Sequence, residues 1–255
     1  MDITFLANNP TASIIIIGNE ILSGRTLDIN TQEIALTLGE LGITLVETRT
    51  IADDKEMIIN TIRELSSKYN YVFTTGGIGP THDDITASSV AEAFNLQYVR
   101  SDEIYNIIKK HYDSLGEKLN PSREKMAYIP ESSKLLYNDA TMVPGFVTKN
   151  VFSMAGIPNI MKSMLKSAIP MLKKGTIVKS RSIEVKIGES KIAERFEALQ
   201  FKYKNVDMGS YPFTKDGIHG TNLVLRSTDY IALDNSFNEL KNLLILDNML
   251  GKSQM

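Results

Sequence analysis

Two neighbouring carboxylates, Asp83 and Asp84, follow a cluster of glycines in the segment 74–86, TTGGIGPTHDDIT. Glycines permit positive φ and let a ligand approach backbone N–H groups closely, and adjacent carboxylates supply hard oxygen ligands for a divalent cation. The pattern therefore predicts a site for a metal-bound phosphoryl group. The alternative is a tight turn between a strand and a helix, in which Asp84 or Thr86 only caps the helix. The glycines of this segment are Gly76, Gly77 and Gly79.

The ends of three predicted strands carry the other groups suited to such chemistry. The run Ile14–Ile17 is apolar at every residue, as expected of a parallel strand that is covered on both faces. Ligands of open α/β sheets bind at the carboxyl ends of the strands, so we expect the residues after these strands to converge there. Further predicted site residues after the first two strands are Gly18, Glu20, Ser23, Asn30 and Asp53. Thr75 and Thr81 join them from the glycine segment.

Several of these residues have a purely structural alternative. Asp53 precedes Glu56 by three residues, which is a helix-start pattern, so Asp53 is either a cap or a ligand. Asn30 begins a similar capping-box pattern, and Glu20 is either a site residue or an exposed loop charge. Two glycine–proline clusters are turns that could also contact the ligand. Their residues of interest are Pro144, Gly145, Gly156 and Pro158.

Composition excludes several classes of protein. The 255 residues include no cysteine, which rules out disulfides, thiolate metal sites and a cysteine nucleophile, and the three histidines are scattered along the chain. The formal net charge of −2 provides no electrostatic footprint for nucleic acid or an anionic membrane. No apolar run is long enough to span a bilayer, and the first residues lack the pattern of a secretory signal. We expect a cytoplasmic protein.

Sequence motifs exclude other enzyme classes. The chain has no G-x-x-x-x-G-K-[ST] loop, no G-x-G-x-x-G after the first strand and no G-x-S-x-G elbow. Strand and helix patterns alternate three times in the first hundred residues, which predicts an α/β fold with a mostly parallel sheet. The run Lys173–Gly175 marks a predicted boundary between a domain at 1–173 and a small α+β domain at 174–255.

Several motifs occur in an order that resembles a known family. IGNEILSGRTLDIN, the ADD at 52–54, TTGGIGPTHDDIT, MVPGFV and AGIPNIM are similar to the molybdopterin-binding-like domain. That domain is found in the competence/damage-inducible protein A family, in molybdenum cofactor biosynthesis proteins and in eukaryotic FAD synthase. GESKIAERFEALQ and MGSYPF then resemble the small KH-type domain of the competence proteins. The residues of these motifs are most similar to those of the short bacterial proteins of the competence family. We therefore do not expect the deamidase activity of the longer proteins of that family.

The resemblance implies a three-layer α/β fold whose glycine loop binds a phosphate-bearing ligand. In the molybdenum enzymes, the aspartates that match Asp53 and Asp84 are tied to the adenylylation of molybdopterin. In the competence and FAD-synthase branches, the site resembles a metal-dependent pyrophosphatase for ADP-ribose or FAD. The chain departs from the competence pattern at Ile160, where that family usually has glutamate. The only GXXG spacing of the small domain, at 217–220, falls between predicted strands and is therefore a turn rather than a nucleic-acid clamp.

The function expected from this reasoning is hydrolysis of a dinucleotide diphosphate. Asp84 and Asp83 would hold Mg²⁺, Mn²⁺ or Co²⁺, and either Asp53 or Glu20 would assist. The loop amides would stabilise the displaced charge. One alternative is a protein of molybdenum cofactor assembly that binds molybdopterin or transfers an adenylyl group. Another is a nucleotide-binding protein without catalysis. Family analogy also suggests a homo-oligomer, either a dimer or a trimer.

Overall fold

The computed structural model describes residues 9–215 and 217–246. The chain divides into two compact units, one formed by Pro10–Lys174 and the other by Asn9 together with the residues from Gly175 onward. We call them the N-terminal domain and the C-terminal domain. In the part of the chain that the structure describes, no helix combines the length and the apolar character needed to cross a membrane.

The N-terminal domain is built from eight strands and seven helices within its described residues. The strands are β1 (Thr11–Ile17), β2 (Thr44–Ile51), β3 (Tyr71–Thr75), β4 (Tyr98–Arg100), β5 (Tyr128–Pro130), β6 (Lys134–Leu136), β7 (Gly145–Thr148) and β8 (Val151–Met154). The helices are α1 (Asn19–Leu22), α2 (Asn30–Glu40), α3 (Lys55–Lys68), α4 (Thr86–Ala93), α5 (Asp102–Ser114), α6 (Pro121–Lys125) and α7 (Pro158–Ala168).

A six-stranded sheet with the order β2-β1-β3-β8-β7-β6 forms the middle of this domain. β1 pairs in parallel with β2 and β3, and β3 pairs in parallel with β8, whereas β7 and β6 continue the sheet antiparallel. This confirms the predicted α/β fold with a mostly parallel sheet. The short antiparallel pair β4–β5 was not predicted, because strands of three residues are too short to show a periodic pattern.

Both faces of the sheet are covered by helices, which gives three layers. Ile14 and Ile16 of β1 pack with residues of α2 and α7 on one face. Ile15 and Ile17 pack on the other face, with residues of α3, α4 and α5. Because successive side chains of a strand point to opposite faces, a strand buried on both sides must be apolar throughout, as β1 is.

The starts of two helices differ from the predicted capping. The amides of Asn30 and Thr31 donate to Asp28 Oδ1, at 3.0 and 3.2 Å, so Asn30 is not the cap of α2. Asn30 is buried, and its side-chain amide donates to the carbonyl of Gly156 at 2.8 Å. The predicted capping box is therefore wrong, because this side chain is drawn to a distant loop that the local pattern does not encode.

At the second helix, the cap is shifted by one residue. Asp54 has an extended backbone and accepts a hydrogen bond from the amide of Met57 at 2.8 Å, so it caps α3. Asp53 therefore does not cap this helix. Its carboxylate is left available for other contacts.

The C-terminal domain packs two helices against a three-stranded antiparallel sheet with the order β10-β11-β9. Its elements are β9 (Lys179–Val185), α8 (Ala193–Lys202), β10 (Asp207–Lys215), β11 (Ile218–Ser227) and α9 (Tyr230–Leu246). Gly217 has a φ of 74° and precedes β11, whereas Ile218, His219 and Gly220 pair with β10, so most of the GXXG spacing is strand rather than the predicted turn. The start of α9 is stabilised by Asp229, whose Oδ1 accepts hydrogen bonds from the amides of Ile231 and Ala232.

Replacing the observed cap of α3 gives the first prediction. Asp54→Ala removes the acceptor of the Met57 amide, so we expect the free energy of unfolding to fall by about 1 kcal/mol. Asp54→Asn keeps an oxygen acceptor and should retain most of that stability. Urea denaturation of both variants measures the difference. Equal stability of Asp54→Ala and the parent would contradict the capping role.

Candidate functional site

A cleft of about 570 Å³ in the N-terminal domain lies at the carboxyl ends of β1, β2 and β3. Glu20 follows β1, Asp53 follows β2, and the loop 76–84 follows β3, and all three contribute to the lining of the cleft. The strand ends therefore bring these segments together, as the parallel topology predicts.

The loop after β3 is held by close backbone contacts. Gly76 has a φ of 101°, and a Cβ atom there would lie 2.1 Å from the carbonyl oxygen of Ile17. Gly77 has a φ of 69°, and its Cβ atom would lie 2.1 Å from Thr86 Oγ1. Thr86 in turn donates its hydroxyl to the Gly76 carbonyl and its amide to the Gly77 carbonyl, each at 2.9 Å. These two glycines are therefore required by the fold itself.

Two backbone amides of the same loop are available to bind a ligand. The Gly76 amide donates to Met154 at 3.1 Å, but the amides of Gly77 and Gly79 have no acceptor among the described residues. Both residues line the cleft. Unpaired amides beside a cavity form a concave site suited to an anion.

Asp84 is oriented by Thr81. The amide of Thr81 donates to Asp84 Oδ2 at 2.7 Å, and the Thr81 hydroxyl lies 2.5 Å from the same oxygen. The residue that precedes α4 is Ile85, which makes no side-chain cap, so Asp84 does not cap this helix. Oδ1 of Asp84 has no hydrogen-bond partner among the described residues, and Asp84 lines the cleft.

Asp83 shares the Thr81 hydroxyl with Asp84. Its Oδ1 lies 2.5 Å from Thr81 Oγ1, and this hydrogen bond is the main reason that the pKa of Asp83 is lowered. A hydroxyl has a single hydrogen, so it serves one carboxylate at a time, whereas the Thr81 amide remains with Asp84. Asp83 is exposed at the rim of the cleft.

Asp53 and Glu20 supply the other two carboxylates of the cleft lining. The amide of Asn19 donates to Asp53 Oδ2 at 2.8 Å, which ties the end of β1 to the end of β2. Gly18 does not line the cleft but leaves space for Glu20, since a Cβ atom on Gly18 would lie 2.6 Å from Glu20 Oε1. The other oxygen of Asp53 makes no hydrogen bond to a described residue.

Gly156, in the loop before α7, and Pro158, the first residue of α7, line the cleft. A Cβ atom on Gly156 would lie 3.4 Å from the Cα atom of Gly76, so the two loops touch. Asn30 does not line the cleft but supports it, through its hydrogen bond to the Gly156 carbonyl.

Other predicted site residues lie outside the cleft. Ser23 donates its hydroxyl to the carbonyl of Glu20 at 3.2 Å, and Thr75 is buried at the end of β3. Gly145 is buried in β7, where a Cβ atom would lie 2.5 Å from the backbone of β8. Pro144 lines a small neighbouring cavity that shares the glycine loop.

Sequence reasoning missed the apolar wall of the cleft and a lysine near it. The wall includes Met126, Val143 and Met164, which come from three separate segments. Lys125 donates from Nζ to the carbonyl of Thr81 at 2.6 Å. No local signal could have found these residues, because only the tertiary contacts bring their segments to the loop.

The charge of the cleft limits what it can bind. Its described lining includes four carboxylates and no lysine, arginine or histidine. An anionic ligand therefore needs a cation with it. Within the described residues, no group of three or more histidine or acidic side chains is arranged to hold a metal ion. The carboxylates fit a cation such as Mg²⁺, which proteins commonly hold with one or two carboxylates together with substrate phosphates.

Two family models match the chain, one over most of the N-terminal domain and one over the C-terminal domain. The family model described as "Probable molybdopterin binding domain" matches residues 13–174. The model described as "FAD synthase, middle domain" matches residues 178–250. The small domain is thus similar to part of FAD synthase, and no match supports the predicted KH-type domain.

Individual proteins are similar to this chain in sequence or in structure. A protein of Archaeoglobus fulgidus is 34% identical over 203 residues, which cover 78% of this chain and 84% of that protein. A "Probable FAD synthase" of Caenorhabditis elegans is 29% identical, and the match covers 92% of this chain but 50% of that enzyme. The crystal structure of the protein CinA, of unknown function, from Thermoplasma acidophilum is 32% identical with a TM-score of 0.60, and the match covers 65% of this chain and 99% of that one. The chain therefore belongs to the molybdopterin-binding-domain family that includes CinA.

Proposed function

We propose that the cleft binds the diphosphate of a dinucleotide, such as ADP-ribose or FAD, and hydrolyses it with the help of Mg²⁺, Mn²⁺ or Co²⁺. The observation that carries this proposal is a juxtaposition. Gly77 and Gly79, whose amides have no acceptor among the described residues, line the same cleft as Asp84, whose Oδ1 has no hydrogen-bond partner there.

The acidic lining supports the need for a cation. A divalent cation held by Asp84, with Asp83 at the rim and phosphate oxygens of the substrate, would neutralise the charge of the diphosphate. Asp53 and Glu20 also line the cleft, from the segments that follow β2 and β1. Asp53 is already fixed by the Asn19 amide, so its second oxygen can orient a water molecule or a ligand without reorganisation.

Other groups of the cleft would bind the phosphate oxygens and the ring of the substrate. The amides of Gly77 and Gly79 would hold phosphate oxygens and the negative charge that develops as water displaces a phosphate oxygen. A P–O bond of the diphosphate breaks, so the products are AMP and the second monophosphate. The apolar wall with Met126 and Val143 offers a surface for a base or a flavin ring.

The comparisons support a nucleotide as the ligand. Both parts of the chain are similar to segments found in proteins whose names refer to molybdopterin or FAD synthesis. These ligands share a phosphate group and a fused heteroaromatic ring. The cleft offers amide donors for the phosphate and apolar side chains for the ring.

Two alternatives place other chemistry in the same cleft. The first is molybdopterin binding or adenylyl transfer, in which Asp53 and Asp84 take the roles implied by the molybdenum enzymes. The second is a nucleotide-binding protein without catalysis. Ile160 favours the second alternative, because this partly buried apolar side chain lines the cleft at the position of the family glutamate. Location in the cytoplasm and assembly into a dimer or trimer stay predictions.

The role of Asp84 gives the second prediction. Asp84→Asn keeps an oxygen for the Thr81 amide but removes the charge, so we expect the rate of AMP release from ADP-ribose and FAD to fall by about 100-fold or more. The measurement compares parent and variant with each of the three cations. Equal rates would exclude Asp84 from the mechanism, and intact dinucleotide in the parent would favour the non-catalytic alternative.

The neighbouring pair Asp53 and Asp54 gives the third prediction, with a built-in control. Asp53→Asn weakens the charge in the cleft, and we expect AMP release to fall by about tenfold while the midpoint of urea denaturation changes little. Asp54→Asn alters only the cap of α3 and should leave AMP release unchanged. Loss of activity in both variants to the same degree would refute the separate roles.

The position of Ile160 gives the fourth prediction. Ile160→Glu adds a carboxylate to the cleft, and we expect a lower concentration of Mn²⁺ to give half-maximal AMP release, because the cation gains a ligand. Ile160→Gln has nearly the same shape without the charge and serves as the control. The same Mn²⁺ requirement in Ile160→Glu and Ile160→Gln would show that this position does not reach the cation.

A further inference from the structure

Lys125, the last residue of α6, reaches a loop that is 44 residues away in sequence. Its Nζ donates to the carbonyl oxygen of Thr81 at 2.6 Å. Lys125 is half-buried and borders a small cavity that Gly79 and Asp84 also line. It is not among the described residues that line the main cleft.

We propose that Lys125 is a positioning residue that holds Asp84 in its orientation toward the cleft. A continuous set of hydrogen bonds joins the two side chains. Lys125 binds the carbonyl of Thr81, and the amide and hydroxyl of Thr81 bind Oδ2 of Asp84. The role of this orientation in hydrolysis rests on the proposed function, but the orientation itself does not.

The loop needs such an anchor for two reasons. Thr81, His82 and Asp83 are exposed, so little packing fixes their backbone. The carbonyl of Thr81 also accepts the Asp84 amide, at a longer 3.3 Å, and Lys125 occupies its second acceptor position. With both acceptor positions filled, these two hydrogen bonds hold the backbone of the turn that carries the carboxylates.

Charge favours the same arrangement. Asp83 and Asp84 are adjacent in sequence, and their carboxylates share one hydroxyl, so they repel each other. The ammonium group of Lys125, held at the Thr81 carbonyl, offsets part of this repulsion.

The alternative is an exposed lysine that meets a carbonyl by chance at the end of a short helix. Two observations favour the positioning role. The contact joins segments that are distant in sequence, and Met126, the next residue, lines the main cleft. Movement of this segment would therefore alter both the orientation of Asp84 and the apolar wall.

The test uses the full chain with Lys125→Met, Lys125→Arg and, as a matched control, the exposed Lys118→Met. Hydrogen exchange of the Thr81 amide, measured by NMR without ligand, should be about tenfold faster in Lys125→Met. Mn²⁺ binding, measured by electron paramagnetic resonance, should weaken by about 10- to 100-fold, as is typical when the partner of a metal ligand is lost. Lys125→Arg keeps a donor and a charge and should restore most of both properties, and Lys118→Met should match the parent.

An unchanged exchange rate of the Thr81 amide in Lys125→Met would overturn the proposal, whatever the hydrolysis assay shows. A change of the same size in Lys118→Met would also overturn it, because the effect would then not depend on the contact with Thr81. Failure of the proposed function is seen separately, as an absence of AMP release by the parent with all three cations. The exchange measurement needs no substrate, so the two failures are distinguishable.

Discussion

Contacts that leave no room for a Cβ atom fix the position of the glycine loop. Gly76 presses against the last carbonyl of β1, and Gly77 presses against the side chain of Thr86 at the start of α4. These contacts tie the loop to the sheet and to the helix layer at once. The direction of the Gly77 and Gly79 amides, the turn at Thr81 and the place of Asp84 all follow from this attachment. The position of the site therefore depends on the tight packing of the glycine loop against the end of β1 and the start of α4.

A second constraint is electrostatic. The described lining of the cleft combines acidic side chains with glycines whose unpaired amides favour an anion. Amides and carboxylates attract ligands of opposite charge, so the cleft as a whole suits a ligand that arrives as an anion with a cation. This explains why the carboxylates occur as pairs rather than as a preformed set of three or more. The third and further ligands of a cation would come from the phosphates and from water.

Adjacent aspartates in this protein carry different roles. Asp54 caps α3, whereas Asp53 ties two strand ends together and borders the cleft. In the other pair, Asp84 completes a turn with one oxygen and keeps the second free, whereas Asp83 stands at the rim. In the first pair, Asp54 stabilises the local backbone and Asp53 keeps one carboxylate oxygen available. In the second pair, Asp84 does both, through its two oxygens. The division depends on which backbone amide lies within reach of each side chain.

The parallel sheet was predictable from the sequence, because β1 is apolar at successive positions and only a strand covered on both faces tolerates that pattern. The same pattern indicated that Glu20, Asp53 and the glycine loop would meet, since parallel strands place their carboxyl ends at one edge. Three features were not predictable: Asp54 rather than Asp53 caps α3, Asn30 binds Gly156, and Lys125 and Met126 join the site. Periodicity and turn signals report contacts between residues a few positions apart. The contacts of Asn30 and Lys125 span 126 and 44 residues, and they exist only because the packed layers bring those segments together.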